Sequence, residues 1–128
     1  MPALRRLLLA ALLIAAPVTA VQAQDVARFL VRVDKLLARG PFALLSRDFY
    51  RLKREIEADG ETLKKEFAHE KAAGRATSFC PPKQGKPRVN KHEFLAALRA
   101  VPVARRTTTD TKDVLRTVLE RKYPCRKA

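Results

Sequence analysis

The sequence predicts an all-α fold: a small helical bundle of about four helices, one of them long, stapled by one disulfide. Two observations carry this. Apolar residues recur at steps of three and four along most of the chain, and no stretch alternates as a half-buried strand does. Two cysteines, Cys80 and Cys125, follow an export-type N-terminus, and an even pair in an oxidising compartment reads as a bond. With 128 residues there is room for one domain with a modest core, and for no large substrate-processing cavity.

Residues 1–23 have the three parts of a secretory signal peptide. Arg5 and Arg6 give the positive start, Leu7 to Ala16 is an apolar run of ten residues, and Val21-Gln22-Ala23 offers small residues before a cleavage point at Gln24. The run is too short for a spanning helix, which needs about 20 apolar residues. The expected location is the periplasm, or outside the cell, and residues 24–128 are expected to form a single helical domain without an integral membrane span.

Asp25 is placed to cap a first helix, in which Val26, Phe29, Leu30, Val33, Leu36 and Leu37 form the apolar face. Gly40-Pro41 ends it. A second helical pattern starts near Phe42, with a seam of Leu45, Phe49, Leu52, Ile56, Gly60, Leu63 and Phe67. Gly60 lies on that seam. Either the helix runs through and Gly60 lets a neighbour approach, or Asp59-Gly60 breaks it; the expectation is one helix to about Ala73, since Gly costs only about 1 kcal/mol there.

Gly74 to Asn90, with Pro81, Pro82, Gly85 and Pro87, predicts a loop pinned at Cys80. Asn90 and Glu93 have the spacing of a capping box before a short helix faced by Phe94, Leu95, Leu98 and Val101 and stopped by Pro102. Asp110 is expected to cap the last helix, whose face is Val114, Leu115, Val118 and Leu119. Tyr123-Pro124-Cys125 closes the chain's last helix, so the disulfide would clasp a C-terminal hairpin to the loop before it.

Little in the sequence points to catalysis. His69-Glu70 opens a zinc-protease motif, but Ala73 stands where the second histidine belongs. Glu55, Glu57, Asp59, Gly60 and Glu66 mimic the spacing of a calcium loop, yet Lys64 and Lys65 lie inside it and the apolar seam explains the same residues as helix. Cys80, Cys125, His69 and His92 lack finger spacing. Neither Ser46 nor Ser78 lies in a nucleophile motif. The reading is a non-enzymatic protein with no catalytic, cofactor-binding or metal-binding residues.

Charge supplies the remaining clue. The formal net charge is +14. Residues 24–79 hold twelve basic against nine acidic groups, residues 80–128 thirteen against four. The loop and hairpin therefore carry the excess, and Lys91, Arg99, Arg105, Arg106, Arg121 and Lys122 are the candidate partner-binding residues. Export and the lack of aromatic interleaving argue against nucleic acid. A protein partner or an anionic cell-envelope component fits better, with the long helix as scaffold. A homodimer through the long seam is the competing account.

Phe79-Cys80-Pro81-Pro82, the Pro/Gly loop, the helix with Phe94-Leu95 and Leu98, Val101-Pro102, and the closing Tyr123-Pro124-Cys125 together resemble the Rap/Tai-type immunity proteins of type VI secretion systems. The resemblance covers residues 79–125, while residues 26–73 lie outside it. It implies a small, helical, disulfide-bonded periplasmic protein that binds and blocks a cell-wall amidase effector. None of the family's effector-binding residues carries over to a position here. The alternative from composition is a basic envelope-stress or chaperone-like structural protein.

Overall fold

The computed structural model describes residues 24–126, so the expected signal peptide lies outside the described residues. Four helices make the fold: α1 (Val26–Leu37), α2 (Arg47–Ala72), α3 (Lys91–Ala100) and α4 (Thr111–Lys122). Short 3-10 helices at Gly40–Leu45 and Val103–Arg105 join the first and last pairs. Among the described residues there is no strand, only one isolated antiparallel bridge between Asp25 and Asp110.

The helix starts follow local chemistry. The Asp25 carboxylate accepts from the Arg28 amide at 2.8 Å. Asn90 and Glu93 form the expected capping box: Asn90 Oδ1 accepts from the amides of His92 (2.7 Å) and Glu93 (3.3 Å), and Glu93 accepts from the Asn90 amide (3.4 Å). Asp110 departs from expectation. It sits at the N-cap position of α4, but its side chain makes no capping hydrogen bond. Backbone lacing supplies the order there instead: the Thr111 amide donates to Gln24 O (2.9 Å), Val26 to Thr109 O (2.9 Å) and Ala27 to Arg106 O (3.1 Å).

The start of α2 is a second correction. The expected helix near Phe42 is a 3-10 segment, and α2 begins only at Arg47. Gly40 has φ +63°, a left-handed turn that closes α1, and Pro41 occupies the first turn of the 3-10 helix. Ser46 then caps α2 by accepting from the Phe49 amide at 3.2 Å while its hydroxyl donates to Ala43 O at 2.7 Å. Leu45 consequently leaves the seam and is 80% exposed.

From Phe49 onward the seam holds. Leu52 and Leu63 are buried, with Phe49, Ile56 and Phe67 packed against the same cluster. The helix runs unbroken through Gly60, but no neighbour approaches it: a β-carbon added there would meet nothing within 4 Å. One hydrophobic cluster joins all four helices, from Val26, Phe29 and Leu30 of α1 to Phe94 and Leu98 of α3 and Val114, Leu115 and Leu119 of α4. Phe29 meets Phe94 edge-on at 6.2 Å.

Cys80 and Cys125 are bonded, with Cα atoms 4.9 Å apart. The loop is tied at further points. Phe79 is buried and stacks with Phe67 at 5.2 Å, and the Cys80 amide donates to Tyr123 O at 2.9 Å. The Tyr123 hydroxyl accepts from the Arg88 amide at 3.0 Å.

Candidate interaction surfaces

The six cations singled out from sequence lie on α3, α4 and the connection between them, but they are not equivalent. Arg106 is turned inward: its guanidinium donates to Val101 O (2.9 Å) and Arg99 O (2.8 Å), closing the open carbonyls at the end of α3. Arg99 pairs with Asp34 of α1 at 2.6 Å. Lys122 reaches Glu93 at 3.0 Å and holds α4 against α3. That pairing, helped by the Asn90 amide, keeps the Glu93 carboxyl below its ordinary range. Lys91, Arg105 and Arg121 are exposed and make no ion pair among the described residues.

The carboxylates that mimic a calcium loop are divided by the continuous helix. Glu55 takes a two-pronged bond from Arg32 of α1 (2.7 and 3.1 Å). Asp59 accepts from the buried Thr111 hydroxyl at 2.7 Å. Glu66 accepts from Lys112 (2.5 Å) and from Arg116 of α4. The Lys112 and Arg116 contacts hold the Glu66 carboxyl low, whereas burial pushes Asp59 up, partly offset by the Thr111 bond. This stripe fastens α2 to α1 and α4. No group of three or more His, Cys, Asp or Glu that could hold a metal occurs among the described residues.

An open groove of about 800 Å³ lies between α1, the first 3-10 helix, α2 and the start of α3. Its walls are mainly apolar, including Val33, Leu36, Phe49, Ile56 and Leu95, and Lys91 and His92 stand at its edge. Beyond it the 3-10 segment presents Phe42 (74% exposed) and Leu45. Sequence reasoning missed this face because Leu45 keeps helical spacing with Phe49; the missed signal was Ser46, a capping residue followed at once by a charged first turn.

No family model matches the chain, and neither curated proteins nor solved structures give a match.

Proposed function

We propose that the chain is an exported binding protein that acts by contact rather than catalysis, and that its role is the one its resemblance to Rap/Tai-type immunity proteins implies: a stoichiometric block on a cell-wall amidase effector. The observation that carries the contact reading is the hairpin. Lys91, Arg105 and Arg121 project from it without an intramolecular ion pair among the described residues, and the disulfide and the Tyr123–Arg88 bond tie its neighbouring loop. Charges held on a pre-ordered frame lose little entropy on binding and steer an acidic partner. Three carboxylates of α2, Glu55, Asp59 and Glu66, are occupied in helix-to-helix contacts.

The test pairs the chain with an amidase encoded beside its gene. Expected are a one-to-one complex, loss of peptidoglycan hydrolysis at equimolar ratio, and binding weakened at least about tenfold by Lys91→Glu/Arg105→Glu/Arg121→Glu, less so in high salt. Absence of a complex with that amidase would overturn the immunity role. The exposed apolar groove favours a second reading, a chaperone-like protein for unfolded envelope clients. That reading expects suppressed aggregation of several unrelated denatured proteins.

A further inference from the structure

We propose that the tip formed by the end of α1, the first 3-10 helix and the start of α2 docks onto an anionic lipid bilayer surface. Among the described residues, five of the seven exposed large hydrophobic residues lie within this one stretch: Leu37 (60%), Phe42 (74%), Leu44 (57%), Leu45 (80%) and Tyr50 (51%). Such clustering is unlike the single exposed apolar residues scattered over ordinary surfaces. Their setting is basic. Between Lys35 and Arg54 the chain has six basic residues and one acidic residue, Asp48. The overall count for residues 24–79 hides this, because the acidic residues gather in the later part of α2.

The backbone bounds the tip with a turn at each side. Gly40, at φ +63°, turns the chain out of α1, and the Ser46 cap restarts it into α2. Arg39 and Asp48 pair across the base at 3.2 Å. Phe42, Leu44 and Leu45 can then enter the headgroup region while Arg47 and Arg51, exposed and in no ion pair among the described residues, stay at phosphate level, their stems covering apolar surface. Each such cation near an anionic surface adds to the attraction. The charge argues against a second copy as the occupant, since two such tips repel. No helix among the described residues is long and apolar enough to cross a membrane, so the contact envisaged is superficial. This proposal does not rest on the amidase reading.

The experiment uses the chain in its exported form, from Gln24 onward, and co-sedimentation with vesicles. Vesicles of phosphatidylcholine with about one third phosphatidylglycerol should bind it, and pure phosphatidylcholine should bind it at least about tenfold more weakly. Phe42→Ser/Leu45→Ser should lower binding about tenfold or more with unchanged helicity and melting temperature, because both side chains are already in water. Arg47→Glu/Arg51→Glu should abolish the preference for phosphatidylglycerol. Val103→Ser, which removes an exposed apolar side chain elsewhere (76%), should change nothing. The proposal is overturned by equal affinity for both vesicle types, by binding that survives the tip substitutions but is lost with Lys91→Glu/Arg105→Glu/Arg121→Glu, or by a tip that instead forms a dimer in solution.

Discussion

Neighbouring arginines in one connection have opposite work. Arg106 donates to two carbonyls at the end of α3, and Arg105, in the adjoining 3-10 turn, is exposed. Arg106→Ala should cost about 1.5–3 kcal/mol, as for a charged donor removed from two carbonyls, one of them partly buried, and Arg105→Ala should stay within about 0.5 kcal/mol. Urea titration of both variants checks this. Gly60→Ala should stabilise by about 1 kcal/mol, since the helix gains propensity and the β-carbon meets nothing. Acid tests the carboxylates. Glu66 and Glu93 have lowered pKa values in the fold, so their contributions are present above the unfolded carboxylate range, near 4.5, and are lost as pH falls through the folded values. Asp59 is raised and runs the other way: its cost is felt at neutral pH and disappears in acid. Asp59→Asn keeps an acceptor for Thr111 and should leave the protein at least as stable as the parent at pH 7, with that advantage shrinking below about pH 4. Melting curves across that range report the crossing.

At the scale of elements, the long helix is the organiser. Its apolar seam faces the core, and its carboxylate stripe of Glu55, Asp59 and Glu66 grips α1 and α4. Leu52→Ala should therefore cost about 2–5 kcal/mol, as for a buried leucine, whereas Leu45→Ala should cost under about 0.5 kcal/mol despite keeping seam spacing. The disulfide should contribute about 4 kcal/mol through the loop it closes, measured as the fall in urea midpoint on reduction. Most of this architecture was legible in the residues. The capping box at Asn90, the stop at Pro102 and the cysteine pair are local signals with local causes, and they appear where expected. What could not be read were the tertiary choices. Asp110 has capping chemistry, but its helix start is ordered by a distant strip of backbone and by Asp59 on another helix. Leu45 has helical spacing, but a turn chosen by Gly40, Pro41 and Ser46 removes it from the helix. The candidate cations were legible as a group, yet their division into Arg99, Arg106 and Lys122, which have partners within the fold, and Lys91, Arg105 and Arg121, which have none among the described residues, needed distances.

Across the whole molecule, charge and apolar exposure are segregated. Net positive charge concentrates in the C-terminal hairpin and again around the tip between α1 and α2, while the later part of α2 is acidic. A surface so divided presents two basic faces, and raised salt should weaken association at either without unfolding the bundle. The lacing of Gln24–Ala27 to residues 106–111 has a consequence for how the chain reaches this state. A polypeptide that emerges with its N-terminus first presents one side of this lacing, residues 24–27, well before the other, residues 106–111. α1 therefore cannot complete its docking until residues 106–111 are out as well. Closure of so long a loop is slow relative to helix formation. In stopped-flow refolding, shortening by truncation before residue 106 should leave α1 helical at most transiently and its core residues unprotected from hydrogen exchange, so that α1 and α4 become ordered in a single late event.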